Sequence, residues 1–272
     1  MIPAEFEYVR PASVAEALSS LAEHGDDAKL LAGGHSLLPM MKLRLANPAV
    51  LIDIARIPEL SYIREDDGDI AIGAATRHAD VVDSALLADR VPLLPYVAGL
   101  VGDRQIRHRG TIGGSLVHAD PAADLPTAVL ALGVTLVVTG PSGPREVKAD
   151  DFFTGFFESA VGPDEILTEI RISDEAGRAR WAYEKFVRRA NDWAIVAVAV
   201  SGGRVALANM GATPLHARAT EQALASGQSI ADAAALADSD TEPTQDIHAS
   251  RDYRRHLARV LTRRALEAAA AR

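Results

Sequence analysis

The chain contains no cysteine at all. That absence excludes a disulfide, a thiolate zinc site, a cysteine nucleophile and a cysteine-ligated iron–sulfur cluster within this polypeptide. It also lacks an excess of basic charge: 28 Lys and Arg stand against 37 Asp and Glu, for a net charge of −9. Non-specific DNA or RNA binding needs cations that displace phosphate counterions, so nucleic acid is not an expected partner. No apolar run is long: the densest, Ala194-Ile-Val-Ala-Val-Ala-Val200, falls far short of the roughly 20 residues of a membrane helix. The start, Met1-Ile-Pro-Ala-Glu-Phe6, has early acid and no apolar core, unlike a secretory signal. These absences predict a soluble, cytoplasmic protein whose only membrane association comes through a larger complex. Several motifs are missing too. No Gly-x-Gly occurs, which rules out a Rossmann fingerprint, and there is no Gly-x-x-x-x-Gly-Lys, Gly-x-Ser-x-Gly or His-Glu-x-x-His.

What is present is an ordinary globular balance, 48% apolar and 24% charged over 272 residues, enough for two domains or three small ones. Ser13 with Glu16 forms a capping box and Gly25 a stop, predicting a first helix between them. Leu30-Leu31 and Val50–Ile54 read as short buried strands around an amphipathic segment that ends at Arg44. Tyr62-Ile63 and Ile70–Ile72 flank an acidic turn as a hairpin. Helices are predicted from Thr76, over Leu93–Val101 and from Pro126, and strands over Val134–Thr139, after Pro141–Pro144, and over Ile166–Ile172. Glu175–Arg178 reads as a linker. Three strands follow, Tyr183–Val187, Ala194–Val200 and Val205–Asn209, and from Leu215 onward the pattern is helical.

Two segments carry chemistry: Lys29-Leu-Leu-Ala-Gly-Gly-His-Ser36 and Thr111-Ile-Gly-Gly-Ser115. Glycines permit positive φ and let backbone N–H groups converge on a diphosphate, and the hydroxyls of Ser36, Thr111 and Ser115 add donors. One Gly-Gly pair alone is better read as a tight turn, and Gly202-Gly203, between two strands, is given no cofactor role.

Ala32-Gly-Gly-His-Ser-Leu-Leu-Pro39, Thr111–Ser115 and Asp120-Pro-Ala-Ala-Asp-Leu125, in that order, closely resemble the FAD subunit of the xanthine dehydrogenase and aerobic carbon monoxide dehydrogenase family. The likeness runs nearly end to end; His35 and the stretch His118–Asp124 are most similar to medium subunits of carbon monoxide dehydrogenase. The resemblance implies an α+β architecture: a flavin fold of the vanillyl-alcohol oxidase type in two α/β subdomains, 1–55 and 56–175, plus a small C-terminal domain, 179–272, with a three-stranded sheet and helices. It implies one non-covalent FAD. By position Lys29, Leu30, Leu31, Ala32, Gly33, Gly34, His35 and Ser36, with Thr111, Ile112, Gly113, Gly114 and Ser115, would hold the diphosphate. Asp124 resembles the acid that accepts from ribityl or ribose hydroxyls, and Val101 and Leu167 would line the cofactor. Lys185 and the Asn191-Asp192-Trp193 stretch match a segment that approaches the isoalloxazine. Relatives often carry Asn where Ser115 stands, and a hydroxyl still donates to phosphate.

The implied partners are a large molybdopterin-binding subunit and a small iron–sulfur subunit, two copies of each of three chains, with a quinone, NAD or oxygen as terminal acceptor. No catalytic residue and no metal is assigned. His35 reads as a phosphate-positioning residue rather than a base. His118, Asp120 and Asp124 have the spacing of metal ligands but serve better as a turn that carries Asp124. Arg104, Arg107, His108 and Arg109 suit either an anion or a solvated face. Arg251, Arg254, Arg255, Arg259, Arg263 and Arg264 give the last helix a basic side, read as a solvated face or a docking surface. The rivals are a free-standing FAD oxidase or dehydrogenase of a small organic substrate, the FAD subunit of a xanthine, aldehyde or N-heterocycle dehydrogenase, and a redox-inactive nucleotide-binding module.

Overall fold

The computed structural model describes residues 2–272. Strands β1 (Glu7–Val9), β2 (Ala28–Leu31) and β3 (Val50–Asp53) form a parallel sheet in the order β1-β3-β2. Parallel strands of one sheet need a crossover connection, and the helix Val14–His24 supplies it between β1 and β2, which flank β3. The Ser13 hydroxyl accepts the Glu16 N–H at 3.2 Å, and the Glu16 carboxylate takes the Ala12 N–H at 2.7 Å. Ala17 and Leu21 of this helix are buried with Ile52, Ile54 and Ile57, which fixes the helix on one face of the sheet.

The middle of the chain builds a wholly antiparallel sheet. Its strands are β4 (Ile63–Asp66), β5 (Asp69–Gly73), β6 (Thr135–Gly140) and β7 (Gly143–Lys148). A two-stranded ribbon of β8 (Phe153–Gly155) and β9 (Glu158–Ser159) precedes β10 (Ile166–Ile172). The order is β4-β5-β10-β6-β7. Asp67 and Gly68 have φ of 50° and 91°, the two positive values that a tight turn matched to strand twist requires. Helices Leu93–Gly99 and Asp124–Leu132 share one hydrophobic cluster with this sheet. Every residue of Asp124–Leu132 is buried, because it packs on Leu93–Gly99 and also on the next sheet. A helix apolar all round has to be covered all round.

That sheet comprises β11 (Trp181–Phe186), β12 (Val196–Ser201), β13 (Arg204–Ala208) and β14 (Leu215–His216), all antiparallel. The α+β architecture agrees with the sequence reading, but the C-terminal sheet has four strands rather than three. Leu215 and His216 pair with Leu207 and Ala206, and the helix begins only at Arg218. Two residues are too few to show a period of two, so the edge strand was invisible to patterning. Glu175–Arg178, read as a linker, belongs to a short helix, Asp174–Arg178, whose Asp174 pairs with Arg90 and Arg178. The twenty-residue helix Arg251–Ala270 closes the fold against β11 and β12. No helix among the described residues is long and apolar enough to cross a membrane.

Candidate functional site

The first glycine loop leaves the C-terminal end of β2, where a parallel sheet leaves room for a ligand. Lys29 is exposed and Leu30 and Leu31 are half-buried in the strand. Ala32, Gly33, Gly34 and Ser36 are half-buried and His35 is exposed. Gly34 has φ +76°, which a side chain resists. Among the described residues, the N–H groups of Gly33, Gly34, His35 and Ser36 have no acceptor, and the Ser36 hydroxyl caps nothing. A row of unengaged donors on a half-buried turn is what an oxyanion requires.

The second glycine segment is not an open loop: it is the first turn of a helix, Ile112–His118, with Thr111 as its N-cap. Thr76 and Gly110 carbonyls accept from Ile112 and His78 N–H groups at 2.9 Å, and Gly113 N–H donates to the Ala74 carbonyl at 2.8 Å. Gly114 N–H is taken by the Thr111 hydroxyl at 3.1 Å, and Ser115 N–H by the Thr111 carbonyl. The backbone donors of 112–115 are therefore engaged. Gly113 serves close approach: a Cβ there would sit 2.5 Å from the Ala74 carbonyl oxygen. What this loop turns outward is the exposed Gly114 and the half-buried Ser115.

The two loops meet. A Cβ on Gly33 would lie 2.4 Å from the Arg109 carbonyl oxygen and 2.7 Å from the Gly110 Cα, and one on Gly114 would lie 3.8 Å from the Ala32 Cβ. Segments 80 positions apart thus form one cradle that a side chain at Gly33 would fill. With free donors on one wall and a hydroxyl beside a glycine on the other, these residues fit a diphosphate.

Asp124 is the first residue of its helix and is 4% exposed. Its Oδ1 accepts from the Tyr183 hydroxyl at 2.6 Å and its Oδ2 from Lys185 Nζ at 2.8 Å. Burial pushes the Asp124 carboxyl up, against the opposing pull of the Lys185 ammonium and the Tyr183 hydroxyl. Burial, with Asp124 beside it, raises the Tyr183 phenol well above its ordinary value, so it remains a donor. Lys185 also reaches the Leu100 carbonyl at 3.4 Å, next to the half-buried Val101, whose own carbonyl accepts from Arg107 at 2.9 Å. Tyr183 was not among the residues singled out from sequence. It lies two positions before Lys185, so both side chains share one face of β11.

Leu167 is buried in the core at a bulge of β10, and the adjacent Thr168 carbonyl accepts the Ala74 N–H that backs the second loop. Trp193 is 59% exposed in the loop between β11 and β12 and makes no aromatic pair among the described residues. The structure thus gathers the glycine loops into one cradle and Val101, Asp124 and Lys185 into a second cluster. His118, tempting beside Asp120, instead faces Phe157, with ring centres 4.9 Å apart. The arginines of the last helix are not a uniform solvated face. Arg254 is 1% exposed and bound to Asp246, and Arg251 and Arg255 hold the Pro243 and Thr241 carbonyls.

His78 lies directly behind the second loop: a Cβ on Gly110 would be 2.8 Å from its ring. Burial, helped by the neighbouring His35 and Arg107, lowers its pKa to about 4. The unfolded chain takes a proton near the ordinary value of 6.5 that the folded chain refuses. Stability is therefore present above pH 6.5 and is lost as pH falls toward 4, by on the order of 3 kcal/mol for this group. In His78→Phe the urea midpoint should fall less between pH 7 and pH 4.5 than in the wild type. Parallel pH profiles for the two proteins would show that His78 is not the group responsible.

Comparison with known proteins places this geometry. Residues 4–173 match the family model "FAD binding domain in molybdopterin dehydrogenase", and residues 181–269 match "CO dehydrogenase flavoprotein C-terminal domain". The carbon monoxide dehydrogenase medium chain of Hydrogenophaga pseudoflava is 43% identical across 100% of this chain and 99% of the relative. Subunit alpha of the 6-hydroxypseudooxynicotine dehydrogenase complex of Paenarthrobacter nicotinovorans is 36% identical across 98% of this chain and 95% of the relative. A solved structure of the Hydrogenophaga pseudoflava carbon monoxide dehydrogenase, lacking the Mo-pyranopterin moiety of its cofactor, superposes with a TM-score of 0.95. It is 45% identical, over 100% of this chain and 99% of that one. The chain therefore belongs to the family of FAD-binding flavoprotein subunits of the molybdenum hydroxylases, oxidoreductases that include carbon monoxide and xanthine dehydrogenases.

Proposed function

We propose that this chain is the medium, FAD-binding subunit of an aerobic carbon monoxide dehydrogenase. In this reading it assembles with a large molybdopterin-binding subunit and a small iron–sulfur subunit, two copies of each, in the cytoplasm. It receives electrons from the small subunit's clusters and delivers them to a quinone, NAD or oxygen. The observation that carries the reading is the contact of Gly33 with Arg109 and Gly110, which makes one diphosphate cradle of two remote loops. Bound FAD supplies the chemistry, since it exchanges electrons singly or in pairs.

The chain's own residues bind and orient. Gly33–Ser36 would grip the diphosphate through their free backbone N–H groups, with Lys29–Ala32 leading into that turn, and Thr111–Ser115 would close the other side. Asp124 keeps lone pairs beyond those used by Tyr183 and Lys185, so it can still accept a ribityl or ribose hydroxyl. Val101 and Leu167 line the cofactor, Lys185 fixes Asp124, and Trp193 shields the flavin. Three sheets support a division into 1–55, 56–175 and 179–272, although one hydrophobic cluster runs through the helix Asp124–Leu132 into the inner face of β12 and β13.

Because no cysteine is present to hold a cluster, the isolated chain should show no carbon monoxide-dependent flavin reduction. Reconstitution with both partner subunits should restore turnover with an artificial acceptor. Substrate-dependent reduction by the chain alone would replace this reading with the free-standing oxidase. A complex that oxidises an N-heterocycle but not carbon monoxide would keep the subunit role and change the substrate.

A further inference from the structure

Asn209, just beyond β13, has φ +60°, a left-handed conformation that asparagine tolerates better than other side-chain-bearing residues. It makes two hydrogen bonds to two different parts of the fold. Its backbone N–H donates to the Pro121 carbonyl at 2.7 Å. Its side-chain Nδ2 donates to the Ala194 carbonyl at 2.8 Å. Pro121 lies in the loop that runs into Asp124, and Ala194 directly follows Trp193. The next carbonyl, Ile195, accepts from the buried guanidinium of Arg254, whose other arm is held by Asp246 at 2.6 Å.

The segment after Trp193 is thus pinned at two successive carbonyls, and one pin runs on through a single residue to the wall that carries Asp124. A left-handed turn alone would explain the φ at Asn209, and glycine would serve it as well or better. Glycine has no amide to span the gap to Ala194. The bridge is what demands asparagine.

We propose that Asn209 is a positioning residue that tethers the Trp193 segment to the Asp120–Asp124 loop, so that the exposed tryptophan keeps a fixed place relative to the flavin site. The inference rests on the reading of Trp193 as a neighbour of the cofactor. Loss of the tether frees the segment without touching the glycine cradle.

The test uses the full chain with Trp181→Phe, which leaves Trp193 as its one tryptophan. Asn209→Gly keeps the left-handed backbone and the N–H to Pro121 but deletes the amide. Asn209→Asp keeps the shape and deletes the donor. Both should raise acrylamide quenching of Trp193 by about twofold in the flavin-free protein, as a segment loses a local anchor, and should speed amide exchange at 192–194. FAD should quench Trp193 fluorescence in the parent. If Asn209→Gly behaves as the parent does in both measurements, the residue serves only its turn and the proposal falls. If FAD leaves Trp193 fluorescence unchanged while Asn209→Gly still loosens the segment, the tether stands and the placement of Trp193 beside the flavin is what fails.

Discussion

Gly33→Val should yield a folded chain that carries no flavin. The side chain would begin 2.4 Å from the Arg109 carbonyl oxygen, closer than real Cβ atoms approach, and its obstacles are backbone atoms that no rotamer change removes. The two loops would have to part, and the cradle exists only where they touch. The expected result is loss of at least about 100-fold in FAD affinity, the equivalent of roughly 3 kcal/mol, with a far-ultraviolet circular dichroism spectrum close to wild type. Gly113→Val should remove flavin as well, through the 2.5 Å clash with Ala74, at a larger cost in stability because that site is buried. Gly203→Ala is the control. Its φ is +87°, so alanine strains the turn, but no atom lies within 4 Å and the position belongs to the β12–β13 hairpin. It should lose about 1 kcal/mol of stability and keep its flavin. The ratio of flavin absorbance to protein absorbance after purification decides the matter: full occupancy in Gly33→Val would mean that the loops are turns and nothing more.

Lys185→Met should cost about 3–5 kcal/mol of folding stability. Lys185 and Asp124 are 8% and 4% exposed at the side chain, and the ion pair joins β11 to the start of the buried helix Asp124–Leu132. Removing the ammonium leaves a carboxylate in a dry site with only Tyr183 to satisfy it. Replacing both members, as in Asp124→Leu with Lys185→Met, should recover most of the loss, because an apolar pair of similar volume does not need to be desolvated against a charge. Urea unfolding of the flavin-free proteins measures this without involving the cofactor. A loss below about 1 kcal/mol in the single variant would show that the pair behaves like an exposed one, and the cluster would then be wetter than its burial indicates.

Much of this was written locally. The first helix was legible because Ser13 and Glu16 announce its start and Gly25 its end, and each signal acts within a turn of chain. Strand β10 was legible at its observed bounds, Ile166–Ile172, because the β-branched Ile166, Thr168, Ile170 and Ile172 recur at every second position. The helix expected near Pro126 begins at Asp124. That displacement matters, since it makes Asp124 a helix residue facing β11 rather than part of a loop. Strand β14 and the helix Asp174–Arg178 escaped notice because they are too short to carry a period.

By itself the sequence determined composition-level facts and the pieces of the site. Without cysteine the chain holds no cluster of its own, its paired Gly-Gly-hydroxyl segments mark it as a phosphate binder, and its motif order marks the family. Only the tertiary structure decided how those pieces share the work. The first loop keeps its N–H donors free, whereas the second spends its donors on Ala74, Thr76 and Thr111 and contributes a wall. Hydrogen-bond bookkeeping of that kind depends on which carbonyl arrives from elsewhere in the fold. The same is true of Asp124, Tyr183 and Lys185, of Arg254, which stands among surface-like arginines yet is buried, and of Asn209, whose two partners lie 88 and 15 positions away. Spacing along a chain reports what a residue is able to offer. Its partners are fixed only when burial removes water and leaves each polar group one protein neighbour to bind.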